Sequence, residues 1–128
     1  MSPDTARVLI VEDNPANMTL ATFLLQSAGY EVLSATDAES GVAMARDRQP
    51  SLILMDIQLP GMDGLQATAL LKADEATRAI PVIALTALAM KGDEERIRAA
   101  GCDGYIAKPL AYKAFLATVS AQLGKTLL

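Results

Sequence analysis

Histidine and tryptophan are absent from this sequence, cysteine occurs once, and aromatic residues make up only 4% of the chain. Without histidine, the chain cannot use histidine-based catalysis, histidine metal ligands or a phosphohistidine of its own. The single cysteine, Cys102, cannot form an internal disulfide and suits a reducing compartment. We expect it to be a small buried apolar residue.

The chain also lacks an excess of basic residues and any long hydrophobic run. Lys and Arg number 11 against 15 Asp and Glu, for a net charge of −4, which argues against nucleic acid as a partner. No apolar stretch approaches the roughly 20 residues of a transmembrane helix. The N-terminus does not follow the basic-then-apolar order of a secretory signal. These features predict a cytoplasmic protein without membrane contact.

Short apolar runs alternate with longer amphipathic stretches along the 128 residues, which is typical of an α/β protein. The pattern predicts strands at 8–11, 31–35, 52–55, 81–86 and 104–107. It predicts helices at about 15–28, 37–47, 65–73, 93–100 and 112–123. Because parallel neighbours need crossover connections, this order favours one doubly wound (βα)5 domain with helices on both faces of a parallel sheet.

Polar side chains follow four of the five predicted strands at the point where each strand ends. Glu12 and Asp13 follow the first strand, Asp56 the third, Thr86 ends the fourth, and Lys108 follows the fifth. Ligands of open α/β sheets bind outside the carboxyl ends of the strands. The sequence therefore predicts that three carboxylates, a hydroxyl and an ammonium group meet at one edge of the sheet.

These groups have the chemistry that phosphoryl transfer requires. Close carboxylates repel each other unless a cation joins them, and Mg²⁺ is the oxygen-seeking cation that one or two carboxylates hold. Asp56 can act as a nucleophile and form an aspartyl phosphate. Lys108 would offset charge on the phosphoryl oxygens, and Thr86 could donate a hydrogen bond to one of them.

Each of these residues also has a simpler interpretation when it is taken alone. Asp13 or Asn14 could cap the first helix, Asp56 could be a turn residue, and Lys108 could be a solvated surface charge. A threonine at a strand end carries almost no information by itself. Their joint occurrence at the ends of four strands favours a site.

Four spaced motifs resemble the response-regulator receiver family, whose best-known members are CheY-like single domains. The motifs are VEDN at 11–14, LMDIQLPGMDG at 54–64, LTA at 85–87 and YIAKP at 105–109. The resemblance covers about residues 7–123, and it implies a flavodoxin-like sheet in the order 2-1-3-4-5. We expect a single receiver domain over residues 1–128 with no output domain. The segment MKGDEERIR at 90–98 and Gly101-Cys102 are similar to the DivK-type branch of single-domain cell-cycle regulators.

The resemblance implies a role for each residue of the predicted site. Asp56 matches the phosphoacceptor of the family. Mg²⁺, which Mn²⁺ could replace, would be held by Asp13, Asp56 and the backbone carbonyl of Gln58, with Glu12 acting largely through a water. Thr86 and the backbone N–H of Ala87 would hold the phosphoryl group, and Lys108 would form an ion pair ahead of a cis bond to Pro109.

The resemblance also implies a switch, in which phosphorylation adds charge and draws Thr86 toward the phosphoryl group. Tyr105 would then turn into the vacated space, although a half-buried strand aromatic is the simpler interpretation of this residue. The face formed by the fourth helix, fifth strand and fifth helix would change shape. That expected partner face also includes Met90, Lys91, Arg96 and Tyr112.

The implied partners are a sensor histidine kinase, a histidine phosphotransfer protein, or both, with the chain acting as a monomer and not as an enzyme. The alternative is a phosphohydrolase with an aspartyl-phosphate intermediate. Hydrolases of that kind use a second aspartate two residues after the nucleophile, where this chain has Gln58. A flavodoxin-type carrier is disfavoured because Glu12 and Asp13 would repel the flavin phosphate. Gly124-Lys125-Thr126 lacks the preceding glycine of a nucleotide-binding loop.

Overall fold

A computed structural model of the protein describes residues 6–87 and 91–127, with the backbone alone at residues 91 and 125–127. Five strands alternate with five helices. The strands are β1 Arg7–Val11, β2 Glu31–Ala35, β3 Leu52–Asp56, β4 Val82–Thr86 and β5 Gly104–Ala107. The helices are α1 Pro15–Ser27, α2 Ala38–Arg48, α3 Gly64–Ala73, α4 Lys91–Ala99 and α5 Tyr112–Leu127.

All strand pairs are parallel, and the strand order is β2-β1-β3-β4-β5. Both the predicted fold class and the predicted strand order are therefore confirmed. The central strands β3 and β4 are buried along their whole length, as their continuous apolar runs predict for strands covered on both faces. This arrangement brings the carboxyl ends of β1, β3, β4 and β5 to one rim of the sheet.

The hydrophobic core is divided by the sheet into two clusters. One cluster joins Leu9, Ile53 and Val82 to buried residues of α2, α3 and α4. The other joins Ile10 and Leu54 to buried residues of α1 and α5, and Phe115 is the largest fully buried side chain among the residues described. Cys102 is buried in the first cluster, as predicted.

Local signals explain where several helices begin. Asn14 caps α1 by accepting a hydrogen bond from the N–H of Asn17 at 3.0 Å, and a proline follows at the first helical position. Asp37 caps α2 in the same way. A reciprocal capping box between Asp63 and Gln66 starts α3.

Two helix boundaries differ from the prediction by more than one residue. Helix α4 begins at Lys91, two residues before the predicted start, so its acidic residues lie within the first turn and not at its first position. Helix α5 continues to Leu127, four residues beyond the predicted end at Leu123. In the described part of the chain, every helix falls short of the length and hydrophobicity that a membrane span requires.

Candidate functional site at the rim of the sheet

Three acidic side chains converge where β1 and β3 end side by side. One carboxylate oxygen each from Glu12, Asp13 and Asp56 lies within 4.8 Å of the other two. Glu12 and Asp56 are buried, whereas Asp13 is exposed to solvent. The predicted acidic cluster is therefore present, and it opens to water on the side of Asp13.

Lys108 joins two of these carboxylates. Its Nζ atom lies 2.9 Å from Oε1 of Glu12 and 2.9 Å from Oδ2 of Asp56. The other carboxylate oxygen of Asp56 accepts a hydrogen bond from the backbone N–H of Gln58 at 2.9 Å. The bond between Lys108 and Pro109 is cis, as the resemblance implied.

Glu12 is a much weaker acid in this site than an ordinary glutamate. Burial of its side chain, together with the neighbouring carboxyl of Asp56, raises the pKa of Glu12 from 4.5 to about 7. The ammonium group of Lys108 opposes this shift but does not cancel it. Close to neutral pH, both the protonated and the ionised forms of the Glu12 carboxyl are therefore populated.

Asp56 behaves in the opposite way. Burial by itself would raise the pKa of Asp56, but hydrogen bonds with Glu12, the Gln58 N–H and Lys108 outweigh it and lower that pKa. Desolvation also works against the charge of Lys108, yet the two carboxylates raise the pKa of Lys108 above its ordinary value. The lowered pKa of Asp56 favours its ionised form, and the raised pKa of Lys108 favours its protonated form. An ionised carboxylate is the form that can act as a nucleophile.

The residues present fit a divalent cation. The second carboxylate oxygen of Glu12 is buried and has no hydrogen-bond partner among the described residues. Among the described side chains, three carboxyl groups face the ammonium group of Lys108, so negative charge is left over when all three are ionised. A hard cation with oxygen ligands, such as Mg²⁺, would satisfy the unpaired oxygen and offset that charge.

Thr86 and Ala87 extend the rim on the side of β4. Thr86 is fully buried as the last residue of the strand, and its carbonyl accepts a hydrogen bond from the N–H of Lys108 at 2.7 Å. Ala87 follows at the surface. Because Asp56 pairs with Leu85 in the strand register, Thr86 and Ala87 follow directly on the neighbouring strand at the same rim.

The simpler single-residue interpretations can now be compared with the structure. Asn14, and not Asp13, caps α1. Asp56 does accept a hydrogen bond from the residue two positions on, as a turn residue would, but it is also bound by Lys108. Lys108 is an ion-paired and largely buried group, so its interpretation as a solvated charge is wrong.

One contact at the site was missed from the sequence. Gly64, the first residue of α3, lies so close to β3 that an added Cβ would stand 2.2 Å from the backbone oxygen of Asp56. Only glycine fits there, because the obstructing atoms belong to the backbone. The glycine was visible in the 54–64 motif, but its spacing could only mark a turn.

The predicted partner face is described in part. Tyr105 is half-buried in β5, and its hydroxyl donates a hydrogen bond to Glu94 of α4. Arg96 is exposed and pairs with Asp93 at 3.1 Å, and Tyr112 is exposed at the start of α5. Met90 and the side chain of Lys91 lie outside the described residues.

Residues 8–120 match the family of response regulator receiver domains. The chain therefore belongs to that family, a class of signalling proteins. Among curated relatives, the polar-differentiation response regulators DivK of Brucella abortus and Brucella suis are 51% identical over 120 residues, which is 94% of this chain and 98% of theirs.

Solved structures give the same assignment. The receiver domain of a sensor histidine kinase from Pseudomonas aeruginosa is 38% identical with a TM-score of 0.87, covering 94% of this chain and 98% of that one. That structure holds a magnesium ion in its active-site cleft. The chemotaxis protein CheY4 of Vibrio cholerae is 26% identical with a TM-score of 0.87, covering 91% of this chain and 98% of that one. The CheY-like fold is thus confirmed twice over.

Proposed function

We propose that this receiver domain is a Mg²⁺-dependent phosphoacceptor whose acceptor residue is Asp56. The observation that carries the proposal is the set of groups that bind the carboxylate of Asp56. Lys108 lies 2.9 Å from one of its carboxylate oxygens, the Gln58 N–H lies 2.9 Å from the other, and two more carboxyl groups adjoin it. This arrangement favours the ionised form of the nucleophile, places the ammonium group of Lys108 where it can offset the charge of an incoming phosphoryl anion, and leaves the other carboxyl groups to hold Mg²⁺.

The proposed reaction needs a donor outside these residues, because the chain has no histidine. An oxygen of Asp56 attacks the phosphorus of a phosphohistidine, the P–N bond breaks, and the imidazole leaves with the electron pair. Lys108 stays protonated and balances charge on the phosphoryl oxygens, while the Thr86 hydroxyl and the Ala87 N–H donate hydrogen bonds to them. When held by Asp13, Asp56, the Gln58 carbonyl and, through water, Glu12, Mg²⁺ supplies further charge neutralisation.

The donor in this proposal is a sensor histidine kinase or a histidine phosphotransfer protein in the cytoplasm. Phosphorylation shifts the surface of α4, β5 and α5 between two packings, with Thr86 and Tyr105 as the moving residues. A role in bacterial cell-cycle or cell-division control is supported by the relatives named for polar differentiation. The hydrolase alternative gains no support, since Gln58 at the position of the required acid cannot exchange protons.

Intact-protein mass spectrometry tests the acceptor directly. The protein is incubated with acetyl phosphate and Mg²⁺, and we expect a mass gain of one phosphoryl group that EDTA abolishes. Asp56→Asn should show no gain. Asp63→Asn is the matched control, because it makes the same change at a neighbouring aspartate that caps α3, where asparagine also caps well. A gain that persists in Asp56→Asn would refute the assignment.

A further inference from the structure

Tyr105 connects two elements of the proposed partner face. Its ring packs against the core cluster that contains Ile97 and Cys102, and its hydroxyl donates a hydrogen bond to a carboxylate oxygen of Glu94. Glu94 lies in the first turn of α4, whereas Tyr105 lies within β5. The side chain is thus fixed at both ends, by apolar packing at the ring and by a charged acceptor at the hydroxyl.

The strand register places this side chain on the same face of the sheet as Thr86. Ala84 pairs with Tyr105 and Thr86 pairs with Ala107, and alternate residues of a strand share a face. Rotation of a tyrosine about its first torsion moves the hydroxyl by several ångströms, beyond hydrogen-bond reach. A turn of the ring toward Thr86 therefore breaks the bond to Glu94 unless α4 moves with it.

We infer that Glu94 is a positioning residue that holds Tyr105 in the orientation of the unphosphorylated domain and so sets the equilibrium of the switch. This inference rests on the proposed function of Asp56 and Tyr105. An interaction made in only one of two states favours that state, so its loss makes the other state easier to reach. Because a phosphoryl group binds the other state better, removal of the Glu94 carboxylate strengthens that binding through linkage.

The charge of Glu94 suits this role. The hydrogen bond to Glu94 raises the pKa of Tyr105, so the phenol keeps its proton and remains a donor at neutral pH. Hydrogen bonds to an ionised acceptor are stronger than those between neutral groups. The next residue, Glu95, carries the same charge on the same helix but is exposed and has no such contact in the described part of the chain.

The test is a titration of the full chain with beryllium fluoride, a phosphoryl mimic, at saturating Mg²⁺, followed by NMR. We expect Glu94→Ala to bind the mimic about fivefold more tightly than the parent, in the lower range of coupling between sites. Tyr105→Phe, which lacks the hydroxyl, should show a similar gain. Glu94→Gln, which still offers an oxygen acceptor, should return toward the parent affinity, and Glu95→Ala should equal the parent.

The double variant Glu94→Ala with Tyr105→Phe separates the proposed contact from a general effect on α4. Since both changes remove the same bond, their combined gain should not exceed either single gain. Parent affinity in both Glu94→Ala and Tyr105→Phe would overturn the inference while leaving Asp56 as the acceptor. Absence of binding in the parent itself would instead overturn the proposed function on which the inference rests.

Discussion

The Cα atom of Gly64 faces the backbone carbonyl of Asp56 so closely that a Cβ atom at position 64 would lie 2.2 Å from that oxygen and 2.7 Å from the Cα of Ile57. The first turn of α3 therefore rests directly on the backbone that leads from Asp56 to Gln58. The N–H of Gln58 in this backbone donates a hydrogen bond to the Asp56 carboxylate. The first turn of α3 therefore helps to hold that carboxylate in position.

Gly64→Ala is expected to lower the free energy of unfolding by about 1–3 kcal/mol, the usual effect of overpacking a tight contact. It should also weaken Mg²⁺ binding, since the segment from Asp56 to Gln58 must shift. Denaturant unfolding and Mg²⁺ titration measure the two effects. Gly124→Ala in α5 is the control, because a Cβ there meets nothing within 4 Å and should be neutral or stabilising by up to about 1 kcal/mol. Equal behaviour of the two variants would contradict the proposed contact.

Glu12→Gln should stabilise the metal-free protein while weakening its affinity for Mg²⁺. The pKa of Glu12 is raised from 4.5 to about 7 in the folded protein. Ionisation of Glu12 therefore destabilises the folded state increasingly as the pH rises from 4.5 to about 7. The gain should therefore be small near about pH 5 and reach about 2 kcal/mol near about pH 8. Denaturant unfolding of the variant and the parent in EDTA, at both pH values, measures this gain in stability. A gain that does not grow with pH would show that Glu12 is not held at a raised pKa.

Lys108→Met should destabilise the metal-free protein by about 3 kcal/mol, because two buried carboxyl groups lose the cation that lies 2.9 Å from each. A divalent cation can offset part of that loss, so saturating Mg²⁺ should reduce the difference from the parent. Thermal or denaturant unfolding with EDTA and with Mg²⁺ provides the comparison. Lys113→Met, at an exposed position of α5, should change stability little under either condition.

Asp63→Ala removes the side chain that caps α3 by accepting from the N–H of Gln66 at 2.9 Å. A loss of about 1 kcal/mol is expected, which is typical for a lost N-cap. Asp47→Ala, on the exposed surface of α2, should cause no comparable loss. Chemical denaturation of the two variants beside the parent measures the difference, and a fully stable Asp63→Ala would argue against the capping role.

Most of the fold was predictable from the sequence because its signals are local. The apolar runs at 52–55 and 81–86 are too short for helices and too continuous for exposed strands, so they identify the centre of a parallel sheet. The boundaries of α4 and α5 were less predictable. Helix α4 begins two residues before the predicted start and α5 ends four residues after the predicted end, at helix termini, which fray and are the least well-defined parts of a helix.

The sequence was enough to predict which residues form the site, but not how their charged groups interact. Strand ends bring Glu12, Asp56 and Lys108 together by topology alone, so their convergence at the rim follows from the strand pattern. The sequence could not show that Lys108 bridges both carboxylates, or that one oxygen of Glu12 is buried without a partner. Those features depend on side-chain positions, as does the bond between Tyr105 and Glu94.

The two core clusters have a further consequence for how such a chain can diversify. The cluster under α2, α3 and α4 includes the contacts of Tyr105, whereas the cluster under α1 and α5 is separated from it by the sheet. After a gene duplication, substitutions among the buried residues of α1 and α5 can change the packing of that layer without repacking Tyr105, whose contacts lie in the other layer. Duplicated copies can thus diverge in the packing of one layer while the contacts of Tyr105 in the other layer stay the same.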